Sequence, residues 1–284
     1  MLKKISDRIY YMPHDEKTDR PVLGLICGDK YSLVVDSGNS SNHAQEFLEE
    51  VKKLEAAPLK YLVMTHWHWD HVFGASTMKL LNICHYKTKE KLIEMQGLKW
   101  DDNSLDERVK SGEEIEFCRD MIKLELPCRE KLLISDADIA FEGSVEIDLG
   151  GIICNIENVK GDHSEDSSIV YVQEEKVMFL GDCLYEDLHN GAWSYSKKKL
   201  YPMIDRVRNY DVELYLDSHD SPKTRAQMDN FINHIFEIGN AVGSKISFEE
   251  SVKEFRKVLG KMPNEEDVYY INSFINGNMK LSKE

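Results

Sequence analysis

Three histidines and an aspartate fall within six residues of this chain, as His66-x-His68-x-Asp70-His71, with Trp67 and Trp69 between them. On an extended or turning segment residues i and i+2 point the same way, so His66 and His68 can reach one ion. Asp70 and His71 then sit on the turn beyond and can face a second. Imidazole and carboxylate suit zinc, which takes about four or five donors per ion. A chance cluster of surface histidines is a poor account, because the apolar run Leu59–Met64 leads straight into the motif. Three further residues follow short apolar runs in the same way: His163 after Val159, Asp182 after Val177–Leu180, and His219 after Leu214–Leu216. Taken singly, His163 and His219 read as ordinary histidines. Their shared place at strand ends reverses that reading, because strand ends on one sheet edge converge on a rigid frame. These seven residues exceed the need of one metal, and two ions sharing one carboxylate would use them all.

The elements that must position them can be read in outline. Residues 22–27 and 31–35 are apolar runs around Gly28-Asp29-Lys30, a hairpin signal, and the second ends at the turn Asp36-Ser37-Gly38-Asn39. Ser41 or Asn42 is placed to cap a helix over about 42–55, with Phe47, Leu48, Val51 and Leu54 on one face and Pro58 beyond its end. Residues 88–126 are charged and weakly helical in period, an inserted helical stretch. Strand patterns return over 139–159 around Gly150-Gly151. Ile169–Gln173 and Val177–Leu180 form a second hairpin about Glu174-Glu175-Lys176. After Asp217-Ser218-His219-Asp220 the pattern is helical, at about 223–241, 247–259 and 265–276. There is no internal repeat and no low-complexity linker.

Composition bounds the class. A chain of 284 residues can bury a core without staples. With 42% hydrophobic and 31% charged residues it reads as an ordinary soluble protein. No apolar run reaches the roughly 18 residues of a membrane span, and Met1–Arg8 carries charge with no apolar stretch behind it. The expectation is a cytoplasmic protein with no membrane association. The net charge is −15, and the nine basic and nine acidic residues after position 222 cancel, so the acidic excess lies in residues 1–222. Such a surface repels polyanions, and nucleic acid is not expected as partner or substrate. The longest basic run, Lys197-Lys198-Lys199, reads as solvated, with a grip on a substrate carboxylate as the alternative. Six cysteines without a C-x-x-C pair read as buried free thiols.

On these motifs the chain resembles the metallo-β-lactamase superfamily. The family's H-x-H-x-D-H signature matches His66–His71, and its Asp-Gly turn matches Asp36-Ser37-Gly38. Its Gly-His-Ser/Thr motif matches Gly161-Asp162-His163-Ser164 with one extra residue, its G-D matches Gly181-Asp182, and its last histidine matches His219. The resemblance spans about residues 22–222. It implies an α/β fold, a four-layer αβ/βα sandwich with metals at one edge. Residues 1–222 then form one hydrolase domain carrying the insertion at about 88–126, and residues 223–284 are a helical extension packed on the same unit. The resemblance further implies that His66, His68 and His163 hold one zinc ion, that Asp70, His71 and His219 hold the other, and that Asp182 bridges them. Iron and manganese are the alternatives. A hydroxide between the ions would attack a carbonyl or phosphoryl centre, with Asp70 orienting it and passing its proton to the leaving group.

Departures from the family pattern narrow the function. Position 182 is Asp where several β-lactamases carry Cys, and Cys183, one residue on, is expected to point away. Position 68 is His where diiron redox relatives place an acidic residue. Asp162 and Glu165 replace neutral neighbours of His163 and are read as groups that tune the site. Tyr185 stands where N-acyl homoserine lactonases use a tyrosine against the scissile carbonyl, so it is a candidate oxyanion donor; the alternative is a packed aromatic. Trp67 and Trp69 either wall the pocket or pack beneath the metal loop. His189, Trp193 and Tyr195 lie in a loop that borders the active site in this fold. His189 reads as a substrate contact or, more commonly, a surface histidine. His85 reads as structural, and His14, His43 and His234 carry no signal. The expected activity is zinc-dependent hydrolysis of a small ester-like molecule, a lactone or thioester. The glyoxalase II type is a close rival, although Lys245, Lys253, Arg256, Lys257 and Lys261 make no specific match to its glutathione site. Other readings are a phosphodiesterase, an iron persulfide-dioxygenase-like enzyme and a non-catalytic metal-binding sensor. A homodimer is expected by fold analogy alone.

Overall fold

The computed structural model describes residues 1–282. One sheet runs β1 (Lys3–Lys4), β2 (Ile9–Met12), β3 (Leu23–Cys27), β4 (Ser32–Val35), β5 (Leu59–Val63), β6 (Leu81–His85) and β7 (Ile139–Phe141), in that spatial order. It is antiparallel to β4 and parallel from β4 to β7. The second sheet is built from β8 (Ser144–Asp148), β9 (Ile153–Asn158), β10 (Ser168–Val172), β11 (Val177–Gly181), β12 (Leu214–Asp217) and β13 (Lys223–Thr224), in the spatial order β13-β12-β11-β10-β9-β8. Only β11 and β12 pair in parallel there.

Strand periodicity explains the layering. Alternate side chains of a strand point to opposite faces, and a strand buried on both faces has to be apolar throughout. In β4, Leu33 and Val35 face the space between the sheets and Val34 faces the outer helices. In β10 and β11, Val170, Val172, Val177 and Phe179 point inward against the first sheet, while Ile169, Tyr171, Met178 and Leu180 point outward. The outer face of the first sheet is covered by α1 (Ser41–Val51), α2 (Trp69–Val72), α3 (Ala75–Met78), α4 (Tyr86–Gln96), α5 (Asp102–Ser111) and α6 (Glu116–Glu125), through Phe47, Leu92, Leu105 and Ile122 among others. The second sheet is covered by α7 (Lys197–Arg208), α8 (Arg225–Val242), α9 (Phe248–Leu259) and α10 (Glu265–Leu281). Ile204, Ile235, Phe255 and Phe274 share one buried cluster with Met178 and Tyr215, so the C-terminal helices and the sheet have a common core. Among the described residues no helix is long and apolar enough to cross a membrane.

Several local readings shift. The first helix is capped by Ser40, whose side chain accepts from the His43 N–H, and it stops at Val51. The insertion is three helices, beginning at Tyr86 directly after β6. The final helix runs on to Leu281. The lysine run at 197–199 is the first turn of α7, a helix that also contains Pro202. Cysteines 84, 118, 154 and 183 are buried as expected, but Cys128 is exposed and Cys27 half-buried. Cys183 sits in the core of the second sheet, away from the donor cluster.

At one edge the two sheets are tied by backbone hydrogen bonds. The Ser168 N–H donates to the Thr65 carbonyl at 2.8 Å, and the Val22 N–H donates to the Ser218 carbonyl at 2.7 Å. Thr65 and Ser218 each immediately precede a histidine of the motifs.

Candidate metal centre

The seven sequence-nominated donors meet at this edge. They form two groups, His66 with His68 and His163, and Asp70 with His71, Asp182 and His219; within each, one donor atom per residue lies within 4.8 Å of the others. Beyond β5 the chain bends at Thr65–His66 and reaches His68, which is extended and takes the N-cap position of α2, so Asp70 and His71 fall within that one-turn helix. The His66 and His68 rings are 4.6 Å apart, so the turning segment still brings these two side chains together. Asp182 stands between the groups. Its Oδ2 is 3.8 Å from His66 Nε2, 3.4 Å from His163 Nε2, 3.4 Å from His71 Nε2 and 3.5 Å from His219 Nε2.

Surrounding groups fix these side chains. Asp36, at the end of β4 with φ +60, accepts from Thr65 N–H at 2.7 Å and Thr65 Oγ1 at 2.9 Å, and its Oδ2 lies 2.8 Å from His71 Nδ1. A carboxylate there selects the tautomer with the proton on Nδ1 and leaves the Nε2 lone pair aimed at the cluster. His163 Nδ1 is 3.2 Å from the Glu186 carbonyl. Gly181 has φ +54, and a Cβ on it would meet Thr65 Oγ1 at 2.7 Å. Only glycine suits both demands, and it brings Asp182 beside Thr65-His66.

The donor set fits divalent cations. Nε2 of His66, His71 and His163 and Oδ1 of Asp182 are buried without a hydrogen-bond partner. Buried polar atoms are rarely left so, and here they converge. Burial, reinforced by neighbouring imidazoles, holds His66 and His68 well below the ordinary histidine pKa and His163 down to about 4, so these rings are neutral with free lone pairs. Burial opposes charge on His71 and His219 as well, yet the surrounding carboxylates, Asp70 and Asp182 foremost, hold both well above their ordinary value. The second group therefore gathers negative charge that calls for a cation.

The centre opens on a cavity of about 320 Å³. Ile115, Phe117, Leu188 and Trp193 give it an apolar wall, Tyr269 of α10 closes one side, and no Lys or Arg lines it among the described residues. His189 lines it too, its ring 4.5 Å from that of His68, so the surface reading of this residue is replaced by a place at the site. Neither Trp67 nor Trp69 reaches the cavity. Trp67 stacks edge-on against His68 and carries Lys91 over its ring, and Trp69 is buried against Phe73.

The Tyr185 ring borders the cavity, but its hydroxyl donates to Asp217 Oδ1 at 2.8 Å. In this structure the proton that the oxyanion-donor reading requires is engaged by Asp217, which favours the packed-aromatic alternative. Asp162 and Glu165 have outward roles. Asp162 accepts from Ser196 N–H at the start of α7 and is pushed up to about 7 by burial. Glu165 pairs with Lys87 on the surface. His85 accepts from Lys87 N–H to cap α4, a structural role as expected. Tyr195 is buried and donates to the Leu184 carbonyl.

Sequence reasoning missed Asp19, Cys118, Glu186 and Tyr269, all of which line the cavity. Asp19 has φ +57, its Oδ1 is 3.4 Å from His219 Nδ1, and burial, then Asp70, raises it to about 7. It lies in a charged stretch with no periodic pattern, and no local signal marks it.

The chain belongs to the metallo-beta-lactamase superfamily, whose family model matches residues 22–219. Among curated relatives, a metallo-beta-lactamase fold-containing protein of Sulfurisphaera tokodaii is 28% identical over 195 residues, covering 68% of this chain and 64% of that protein. A beta-lactamase-like protein 2 homolog of Caenorhabditis elegans is 27% identical over 195 residues, covering 62% of this chain and 54% of that protein. The match thus spans less than two thirds of either relative's length. Among solved structures, the sec-alkylsulfatase Pisa1 from Pseudomonas sp. superposes with a TM-score of 0.67 at 14% identity, covering 98% of this chain and 49% of that one. A metallo-beta-lactamase from Pontibacter korlensis superposes with a TM-score of 0.55 at 18% identity, covering 82% and 97%. These likenesses establish the fold.

Proposed function

We propose that this protein is a zinc-dependent hydrolase of a small ester-like substrate without an anionic group, a lactone or a thioester. The observation that carries the reading is the pairing of the two donor groups, with Asp182 facing both, with a cavity whose wall is apolar. Two bound zinc ions supply Lewis acidity and make hydroxide accessible near neutral pH.

The chain's own residues do the rest. His66, His68 and His163 would hold one ion, and Asp70, His71 and His219 the other, with Asp182 shared. Asp70, its Oδ2 3.0 Å from His71 Nε2 and 3.2 Å from His219 Nε2, stands beside the centre as the acceptor for the proton that the leaving group later needs. Ile115, Phe117, Leu188 and Trp193 exclude water from the acyl side of the substrate. A phosphodiester is less suited, because among the described residues no Lys or Arg lines this cavity to meet its charge. The same holds for glutathione carboxylates: Lys253, Arg256, Lys257 and Lys261 line a separate groove along α9.

The test is acid release by zinc-loaded protein from lactones, thioesters including S-lactoylglutathione, simple esters, phosphodiesters and a secondary alkyl sulfate, with β-lactams followed by absorbance. A lactone or thioester hit that disappears together with metal content in Asp182→Ala supports the proposal. Turnover of phosphodiesters alone, or persulfide oxidation by iron-loaded protein, would replace it. Silence across the panel with both metals bound would favour the sensor reading.

A further inference from the structure

A second cavity, of about 340 Å³, lies behind the metal cavity and shares Tyr185, Glu186 and Tyr269 with it. Its other aromatic residues are Tyr195, Phe231 and Tyr270, and Asp217 lies in its wall. Two of its carboxylates are deeply buried, Asp217 at 7% exposure and Glu186 at 3%. Asp217 Oδ1 accepts from Tyr185 and Glu186 Oε1 accepts from Ser273 Oγ at 3.1 Å, with the Tyr269 and Tyr195 hydroxyls also beside the Glu186 carboxylate; all of these donors are neutral. Neither residue, nor Glu266 at the rim, is ion-paired among the described residues. Among the described residues the one cation in the wall is Lys223, and it is taken by Asp220 at 2.5 Å.

Buried carboxylates are stable when a counter-charge accompanies them. Here neither buried carboxylate has an ion-pair partner among the described residues, Lys223 being engaged by Asp220, and the space beside them is ringed by aromatic faces. Aromatic rings attract cations through their quadrupole, most strongly where the cation is partly desolvated. A hydrated inorganic ion gains little from such rings. An organic cation gains from both rings and carboxylates.

We propose that this compartment binds an alkylammonium group. The site stands independently of the reaction proposed above. If that reaction holds, the shared wall makes a substrate with an ammonium group on the side away from the scissile bond the natural ligand.

The experiment uses zinc-loaded full-length protein and two probes of nearly equal shape, choline and the neutral 3,3-dimethylbutan-1-ol, with binding followed by calorimetry and saturation-transfer NMR. Zinc content is measured before and after. We expect saturable choline binding about tenfold or more tighter than that of the neutral probe, with no loss of zinc. Glu266→Gln, an exposed change, should weaken choline by about threefold, and Tyr270→Leu by about tenfold. If Tyr270→Leu lowers thermal stability, Glu266→Gln and Tyr270→Phe, which keeps the ring and should retain binding, decide the matter. Equal affinity for the two probes, equal competition by sodium, zinc displacement by choline, or indifference to both Glu266→Gln and Tyr270→Leu would overturn the proposal. No turnover is measured, so failure of the hydrolase reading would leave this result intact.

Discussion

Asp36→Asn tests the reasoning about the metal centre without touching a donor. The change keeps the size of the side chain, and asparagine tolerates the left-handed backbone at φ +60. The amide oxygen can still accept from Thr65 N–H. The NH₂ group then replaces the oxygen that lies 2.8 Å from His71 Nδ1. A donor at that position favours the tautomer with its proton on Nε2, where the lone pair is needed. Loss of an outer carboxylate of this kind costs about 10- to 100-fold in metal affinity, or about 1.4–2.7 kcal/mol. The loss should fall on one of two sites, because His71 belongs to the group with Asp70 and His219. Competition against a chromophoric chelator resolves two zinc equivalents, and far-UV circular dichroism controls for folding. Two sites with both affinities within about threefold of the parent would refute the claim that Asp36 sets the His71 tautomer.

Tyr185→Phe should lower the unfolding free energy by about 1–3 kcal/mol, because it removes the donor to the buried Asp217, and should leave zinc content unchanged. A kcat fall of about tenfold or more at unchanged stability would restore the oxyanion role. His43 is 1% exposed, and burial, then Arg20, lowers it from 6.5 to about 3. The folded state therefore resists a proton that the unfolded state accepts. The stability contributed by neutral His43 is complete above 6.5 and is lost as pH falls from 6.5 toward about 3. That amounts to about 2 kcal/mol between about pH 7 and about pH 5, readable as a urea-unfolding difference that shrinks in His43→Gln; an unchanged slope would refute it. Chelation of the metals should lower the melting temperature and speed amide exchange at residues 64–72 and 181–183 while sparing α8; uniform exchange across the chain would contradict a local effect.

The legible parts of this chain are those where one residue type serves one purpose. Strand cores such as Val170–Val172 are apolar throughout because both faces are buried, and their ends announce His163, Asp182 and His219. The His66–His71 spacing carries its geometry locally. What escaped reading depends on distant partners. Asp19 matters because its backbone turn brings it to His219, some 200 residues away. The helix at Lys197–Arg208 was hidden by Pro202 and by three lysines in its first turn, where positive charge opposes the helix dipole, and is held by the burial of Leu200, Met203, Ile204 and Val207. Tyr185 lies in the loop after β11, and its hydroxyl partner, Asp217, ends β12, 32 residues on.

Donors come from strand ends and the short α2, whereas the apolar wall comes from elsewhere: Ile115 and Phe117 from the insertion, Leu188 and Trp193 from the loop after β11, Tyr269 from the last helix. The donor cluster and the cavity wall are therefore inherited on separate stretches of chain. Drift in the insertion or the tail can reshape the cavity without disturbing the donor cluster. The same division gives a protein engineer a short mutational alphabet. Positions 115, 117, 188, 193 and 269 can be randomised together while the scaffold that holds the donors is left as it stands.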